Sequence, residues 1–249
     1  MVFSSFLDPV LLPFLKLPPI LAIILLSLMI SLLMVIAYKL LTNQAKMKEL
    51  KDKQKDFQKR MKAQKKDPQK LMKMQKEAMV VNLEYMKHSM KPTLFTFIPI
   101  IIIFGWMSAH LAFAPIIPGE TFTTSVVLQE GTSGIAELTV PDGVEIVGEP
   151  AKTITGNVVE WQLKGDAGNY LLDYKINDQI YSKELLITDE QRYTTPVSEI
   201  GKGGVESITI GNQKLEVLNI LGWKLGWLGT YFILALVFSM SLRKLMKVY

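Results

Sequence analysis

Three long stretches without charged residues constrain this chain more than any other feature of its sequence. They are Ile20–Tyr38, Thr93–Ala114 and Leu225–Leu242, with 19, 22 and 18 residues, and within them only His110 could titrate. At about 1.5 Å of rise per residue, each stretch reaches roughly 27–33 Å as a helix, which matches a bilayer core of about 30 Å. The pattern therefore predicts three membrane-spanning helices.

The two segments between these stretches carry opposite net charges. Thr42–Lys91 has 15 basic and 6 acidic residues, whereas Ile116–Leu218 has 7 basic and 16 acidic residues. Because lysine and arginine favour the cytoplasmic side, the first segment is predicted to be cytoplasmic, and so is the basic tail that ends the chain. Three spans then place the N-terminus and the acidic segment outside, in a multi-pass protein of the cell membrane.

The sequence thus predicts a membrane α+β fold of three transmembrane helices, a cytoplasmic helical hairpin forming a coiled coil, and an extracytoplasmic antiparallel β-sandwich insert. The predicted parts are an outer interfacial segment (1–19), the first span (20–41), the basic Met-rich hairpin (42–91), the second span (92–115), the β-domain (116–218), the third span (219–242) and a basic cytoplasmic tail (243–249).

Apolar residues recur every three or four positions in the basic segment, which predicts two helical arms with a coiled-coil seam. The seam residues are Met47, Leu50, Gln54, Phe57, Met61 and Gln64 on the first arm, and Leu71, Met74, Ala78, Val81 and Tyr85 on the second. Asp67-Pro68 should begin the second arm, because Asp is a good N-cap and Pro suits the first helical position. We expect the first span to run into the first arm without a break.

The acidic segment has short apolar or alternating runs separated by turn residues, a pattern typical of β-strands. The candidate strands are Thr121–Leu128, Ile135–Val140, Val144–Val147, Val158–Leu163, Tyr170–Ile176, Ile180–Ile187 and Ser207–Ile210. About seven such strands favour an antiparallel sandwich, for which an immunoglobulin-like architecture is one candidate, with a small barrel as the alternative. Trp161 is predicted to lie in its core.

Two sets of side chains in the hairpin are candidates for binding another chain. Methionines off the seam could form an adaptable apolar surface; they are Met72, Met79, Met86 and Met90. Basic residues near the predicted turn could dock on ribosomal RNA or anionic lipid; they are Lys59, Arg60, Lys62, Lys65 and Lys66. The alternatives are seam packing for the methionines, and a solvated face that only sets topology for the basic residues.

Small polar residues within the predicted spans could line a mildly polar groove, which would lower the cost of passing a hydrophilic segment through lipid. The residues predicted for this groove are Ser27, Ser31, Ser108, Thr230 and Ser239. The alternative is that they only support packing between helices.

Catalysis finds little support in the sequence. The chain has no cysteine and only two histidines, His88 and His110, which the topology puts on opposite sides of the membrane. No Gly-rich phosphate loop, nucleophile elbow or metal-ligand spacing is present. We therefore expect a protein that is not an enzyme and that uses no cofactor or metal.

The order of the parts, together with three motifs, resembles the three-span core of the YidC/Oxa insertase superfamily. The motifs are Leu7-Asp8-Pro9 before the first span, Lys91–Pro99 entering the second, and Gly226–Tyr231 through Leu242–Leu245 in the third. The chain is most similar to the archaeal branch of unknown function, which is related to the insertase subunit of the ER membrane complex. The likeness covers Phe3–Pro115 and Asn219–Val248 and does not account for the β-rich insert.

The resemblance implies an insertase or insertion chaperone that receives nascent membrane proteins and associates with the ribosome. Its hairpin would capture an apolar segment, and a groove open to the cytoplasm would pass that segment into the bilayer. Two other functions remain open: a membrane-anchored protein that binds an external partner through its β-domain, and an ion-conducting protein. The sequence does not indicate an oligomeric state.

Overall fold

A computed structural model describes residues 7–63 and 67–248. The chain divides into two compact units, which are described separately below. The first unit consists of Met1–Ile20 and Gly105–Trp227, and the second of Leu21–Phe104 and Leu228–Tyr249. Gln64, Lys65 and Lys66, for which the sequence predicts seam and docking roles, lie outside the described residues.

Five α-helices occur in the described part of the chain. They are α1 (Asp8–Leu11), which a 3-10 turn (Leu12–Lys16) follows, α2 (Pro19–Leu41), α3 (Gln44–Ala63), α4 (Pro68–Leu111) and α5 (Trp227–Leu245). Three helical segments are long and apolar enough to cross a membrane: Pro19–Leu41, Pro92–Leu111 and Trp227–Leu245, with 23, 20 and 19 residues. These segments coincide with the three predicted spans to within a few residues, apart from the start of the third.

The first predicted span does not run unbroken into the hairpin, so that expectation is wrong. Helix α2 ends at Leu41 and α3 begins at Gln44. The Thr42 hydroxyl donates to the Tyr38 carbonyl at 2.6 Å, and the Asn43 side chain accepts from the backbone N–H of Lys46 at 3.1 Å. Asn43 is thus the N-cap of a new helix, and its side chain satisfies a donor that has no partner inside the helix.

The hairpin follows the predicted seam over its described length. Helix α4 begins at Pro68, and Asp67 caps it by accepting from the Lys70 N–H at 3.1 Å. The arms are joined by a hydrogen bond from Gln54 to Asn82 at 2.7 Å and by an ion pair between Lys46 and Glu84 at 3.2 Å. On both arms the seam positions are the less exposed ones, and Met47 and Leu50 are completely buried.

Eleven β-strands occur in the described residues of the first unit. They are β1 (Phe122–Leu128), β2 (Ile135–Thr139), β3 (Val144–Val147), β4 (Ala151–Thr153), β5 (Val158–Gly165), β6 (Gly168–Ile176), β7 (Gln179–Ile187), β8 (Val197–Lys202), β9 (Val205–Ile210), β10 (Leu218–Ile220) and β11 (Trp223–Leu225). All seven candidate strands are present with bounds that shift by two residues or fewer. The sequence did not predict β4, β8 or the final pair.

Two antiparallel sheets, ordered β3-β5-β1-β9-β8 and β4-β2-β6-β7, form the body of this β-domain. Alternate residues of their strands face one shared apolar core, as in the alternating burial of β5. Trp161 lies in that core with 1% of its surface exposed, which confirms its predicted place. Its indole N–H donates to the Pro150 carbonyl at 2.9 Å, so the buried polar atom is satisfied.

The chain reaches its third span later than predicted. Residues 218–225 form the β10–β11 hairpin, and α5 begins only at Trp227, so the predicted boundary at 219 is corrected. The apolar run that suggested an earlier start is a short two-stranded ribbon closed by Leu221-Gly222. At its other end α5 continues through Arg243 and Lys244, whose positive charges suit a helix C-terminus.

The C-terminal end of α4 is tied to the β-domain. Helix α4 ends at Leu111, short of the predicted limit at 115, and the next residues pair with a strand-like segment. Ala114 donates to the Gln213 carbonyl at 2.8 Å, and Leu215 donates to the Ala112 carbonyl at 3.0 Å. A backbone ladder therefore replaces the last helical hydrogen bonds at this point.

Candidate functional site

Two hydroxyl groups within the predicted spans are buried without a hydrogen-bond partner in the described part of the chain. The Ser27 Oγ on α2 and the Thr230 Oγ1 on α5 belong to residues that are 0% exposed. A buried hydroxyl that lacks a partner costs about 1–3 kcal/mol. These two atoms of the second unit are therefore sites of unused hydrogen-bonding capacity in an otherwise apolar setting.

Three hydroxyl groups on α4 behave differently, because each donates to a backbone carbonyl three or four residues earlier. Ser89 donates to the Met86 carbonyl at 3.0 Å, and Thr93 donates to the Ser89 carbonyl at 2.8 Å. Thr96 donates to the Pro92 carbonyl at 2.9 Å. Local bonds of this kind are a common way for serine and threonine to be satisfied in a helix, and the fully buried hydroxyls of Ser27 and Thr230 lack one in the described part of the chain.

The other predicted groove residues occupy different environments. Ser31 is 4% exposed and lies one turn after Ser27 on the buried face of α2. Ser239 is half-buried on α5, and Ser108 is exposed and belongs to the first unit. Ser27, Ser31 and Thr230 are therefore closed off from solvent, and the helices of the second unit would have to separate before these residues could line a groove.

A cluster of aromatic and apolar side chains joins α2, the hairpin and the end of α5 within the second unit. Val35, Tyr38, Met47 and Val248 are its buried members, and Tyr85 packs against them. The Arg243 guanidinium lies over the Tyr38 ring at 4.7 Å, a cation–π contact. The Lys39 ammonium donates to the Met246 carbonyl at 3.1 Å. These contacts fix the base of the hairpin to two of the predicted spans.

The four off-seam methionines are all exposed on α4. Met72, Met79, Met86 and Met90 have exposed fractions of 58%, 61%, 53% and 51%. Leu83, 51% exposed, falls between them, so the spacing along the helix is seven, four, three and four residues. This spacing places all five on one face, which is distinct from the face that carries the seam. We call this face the methionine stripe.

The methionine stripe continues into the second predicted span without a break in the helix. Leu94, Phe97 and Ile101 extend the same spacing and are 64%, 58% and 54% exposed. Pro92, where the span begins, interrupts neither the helix nor the stripe. The structure thus brings the exposed apolar face of the hairpin arm and an exposed face of the predicted span onto a single helix surface.

The predicted basic residues that are described lie exposed near the end of α3. Arg60 pairs with Asp56 at 3.5 Å and lies 5.6 Å from the Phe57 ring centre, whereas Lys59 and Lys62 point to solvent. Nearer the spans, hydrogen bonding to Glu84 raises the pKa of Lys46, and Lys53 lowers the pKa of Glu49. The positive charge towards the end of the arm is therefore less neutralised than that at its base.

Two side chains that no sequence pattern singles out, Gln191 and Tyr193, clamp the end of α4 in the first unit. Gln191 donates to the carbonyls of His110 and Phe113 at 3.1 and 2.8 Å. The Tyr193 hydroxyl donates to the Ser108 carbonyl at 3.0 Å and accepts from the Ala112 N–H at 3.1 Å, and burial raises the pKa of this hydroxyl. Both residues come from a loop without periodicity, and only the fold reveals their role as a helix C-cap.

A cavity of about 1160 Å³ opens beside this clamp. Its lining includes Asp8, Lys16, His110 and Arg192, so both signs of charge are present. Asp8, which belongs to the first resemblance motif, accepts from the Trp106 indole at 2.8 Å, and His110 stacks on that indole at 4.4 Å. Among the described residues no group of three His, Asp or Glu side chains is placed to bind a metal.

The spans, the helical hairpin and the β-sheets together define an integral membrane protein of the α+β class. Residues 4–141 match the family described as "Integral membrane protein EMC3/TMCO1-like". The match covers more than half of the chain, so the chain belongs to this family, which is part of the Oxa1/YidC-related insertase superfamily. No curated protein and no solved structure matches the chain. The matched residues include α2, the hairpin and the span of α4, but not α5.

Proposed function

We propose that this protein is a membrane protein insertase or insertion chaperone. The observation that carries the proposal is the methionine stripe, an exposed apolar face on a helical arm that leads directly into a predicted membrane span. Family membership supports the same conclusion, because the family lies in an insertase superfamily. The clients would be nascent membrane proteins, and the hairpin would sit near the ribosome.

The proposed mechanism begins with capture of an apolar client segment on the stripe. Burying a methionine-sized side chain contributes about 1.5–3 kcal/mol, so a client that covers two or three of the methionines would be held weakly and reversibly. Methionine suits this task because its unbranched, polarizable side chain adapts to different partners. The exposed Lys59, Arg60 and Lys62, with Lys65 and Lys66, would attract ribosomal RNA and keep the arm close to the emerging chain.

Transfer into the bilayer would follow along the same helix face and needs no chemical step, so the protein would not be an enzyme. The client would leave the methionine stripe for the lipid-facing residues of the span. Its polar flank would pass between the helices of the second unit, where Ser27, Ser31 and Thr230 would supply hydrogen bonds once the helices part, with Ser239 as a further hydroxyl. Each bond would offset part of the cost of placing a polar group in lipid.

Site-specific photocrosslinking during translation tests this proposal. A photoreactive residue at Met79 or Met86 should attach to nascent membrane proteins bound to ribosomes. The matched control is Glu77, which is exposed on the same arm but lies off the methionine stripe. We expect strong crosslinks at the two methionines and weak ones at Glu77. Equal labelling at all three positions would contradict capture by the stripe.

Replacing the four exposed methionines separates apolar capture from a structural role. Because all four side chains are exposed, changing them to glutamine should leave the hairpin folded and reduce client insertion. Changing them to leucine should retain insertion, since leucine keeps the apolar surface. Full insertion with the glutamine variant would refute the proposal.

The alternative, a surface-binding protein that acts through its β-domain, has less support. Exposed apolar residues on the β6–β7 ribbon are interspersed with charges, since Leu171 lies opposite Glu184 and Ile180 opposite Lys175. Alternation of this kind breaks an outer face into small apolar spots, as on an ordinary solvated sheet.

A further inference from the structure

The β10–β11 hairpin ends in apolar side chains that contact little of the first unit. Leu221 is 100% exposed, Trp223 is 78% exposed and Ile220 is 42% exposed. The run from Val217 to Trp223 contains no charged residue. A cluster of large, exposed apolar groups marks a surface that contacts another protein or a membrane.

The two faces of this hairpin differ in polarity. Ile220 pairs with Trp223, and Leu218 pairs with Leu225, so by the two-residue alternation of strands these four side chains share one face. Asn219 pairs with Lys224 on the other face, and Lys224 forms an ion pair with Glu216 at 3.0 Å. The hairpin is therefore amphipathic, and its apolar face becomes more exposed from the base to the tip.

The residue at the turn is itself unusual. Leu221 has a positive φ of 51°, a conformation that favours glycine, asparagine or aspartate. The β6–β7 turn offers a direct comparison, because it has the same two-residue length and its first residue, Asn177, has a φ of 52°. At Asn177 the chain carries a residue suited to the turn, whereas at Leu221 it carries a large apolar side chain that the turn does not favour. The presence of leucine instead of a turn-favouring residue is explained if the Leu221 side chain contacts something other than the rest of this chain.

The position of the hairpin identifies its partner. At its base, the segment that leads into β10 pairs with residues 112–114, directly after the end of α4 at Leu111. At its other end, only Gly226 separates β11 from the start of α5 at Trp227. Both attachments are ends of predicted spans, and the tip lies about six residues from each, so it reaches no more than about 20 Å from them. The tip therefore stays near the boundary zone of the bilayer, where tryptophan is favoured.

We infer that the tip of the β10–β11 hairpin, Ile220–Trp223, inserts into the interfacial region of the lipid bilayer. The apolar face supplies the contact with lipid, and the face that carries Asn219 and Lys224 remains in water. The hairpin then acts as a membrane anchor of the β-domain in addition to the predicted spans. This inference needs only that the protein spans a membrane and does not depend on the insertase function.

A fluorophore attached to single cysteines measures this insertion, because the natural chain has no cysteine. The full-length Leu221→Cys protein, labelled with an environment-sensitive dye, is reconstituted into phosphatidylcholine vesicles. Asp178→Cys is the matched control, since Asp178 occupies the second position of the comparison turn and is exposed. We expect blue-shifted emission, protection from iodide and quenching by brominated lipid at position 221, and the opposite at position 178.

Two results would overturn the inference. Iodide quenching at position 221 equal to that at position 178 would place the tip in water. Protection of position 221 from both iodide and brominated lipid would show that protein covers the tip. Trp223→Cys provides a second probe on the same face, so that a local disturbance of the turn by the first substitution cannot decide the outcome.

Discussion

At the scale of single residues, the unpaired hydroxyls of α2 and α5 allow an effect on stability to be measured apart from an effect on function. Thr230→Val keeps the shape of the side chain and removes the buried hydroxyl that has no described partner. We expect the variant to be more stable than the natural protein by about 1 kcal/mol, since an unpaired polar group no longer has to be buried. Client insertion should fall at the same time if the hydroxyl serves the polar flank of a client.

Thermal unfolding in detergent and an insertion assay measure the two effects of Thr230→Val. Thr96→Val is the matched control, because the Thr96 hydroxyl is buried but bonded to the Pro92 carbonyl. Loss of that bond should not stabilise the protein. A fall in the melting temperature of Thr230→Val would show that the hydroxyl has a partner in the membrane.

Lys183 is a second residue whose surroundings have a measurable consequence, here for the pH dependence of stability. It is 4% exposed, and its ammonium donates to the Thr195 carbonyl at 2.9 Å and to the Ser198 hydroxyl at 2.7 Å. Burial lowers the pKa of Lys183 below its ordinary value. The ammonium thus fastens the loop that carries the Gln191 and Tyr193 clamp, and it does so at the cost of desolvating a charge.

The lowered pKa predicts that the stability of the β-domain rises with pH. Between the folded-state pKa of Lys183 and the unfolded value of about 10.4, the unfolded chain binds more protons, so the free energy of unfolding increases as pH rises. Below the folded-state pKa this contribution is constant. Tyr174, whose pKa burial raises, acts in the opposite direction above about pH 10, so the measurement belongs below that pH.

Thermal unfolding followed by tryptophan fluorescence, from about pH 7 to pH 9.5, tests this dependence. The natural protein should gain stability towards the upper end of this range, and Lys183→Met should lack that gain whatever its absolute stability. Parallel pH profiles for the two proteins would show that Lys183 is not the group responsible.

At the scale of elements, regular patterns were predictable and local interruptions were not. The seven candidate strands and the two seams follow from periodicity, which side-chain burial enforces along a whole element. The break at Asn43 depends on one side-chain hydrogen bond, and the Thr-Asn pair that signals it lies inside an otherwise helical pattern. Composition does not distinguish the β10–β11 hairpin from part of a span, because a short apolar ribbon and the start of a helix have similar residues.

The candidate site also combines features that the sequence predicts with features that it does not. Exposure of the four off-seam methionines follows from their spacing, since this spacing puts them on a helix face that does not contact the other arm. Burial of Ser27 and Thr230 could not be read from the sequence, because it depends on which faces of the spans meet. The roles of Gln191 and Tyr193 were equally hidden, since contacts with residues about 80 positions earlier in the chain bring them to α4.

At the scale of the whole molecule, the charge asymmetry between the segments that flank the second span is the strongest constraint on topology. The hairpin segment Thr42–Lys91 has 15 basic and 6 acidic residues, and the β-rich segment Ile116–Leu218 has 7 and 16. The capture step requires the methionine stripe to be on the side where proteins are made. The function and the orientation therefore depend on each other, and an independent test of orientation bears on both.

Labelling of single cysteines in intact cells provides that test. Lys59→Cys lies on the exposed part of α3, and Glu145→Cys lies on an exposed position of β3. A thiol reagent that cannot cross the membrane should label position 145 in intact cells and position 59 only after the cells are opened, because the positive-inside rule keeps the hairpin in the cytoplasm. The reverse pattern would place the methionine stripe outside, where nascent chains are absent, and would exclude the insertase mechanism along with the topology.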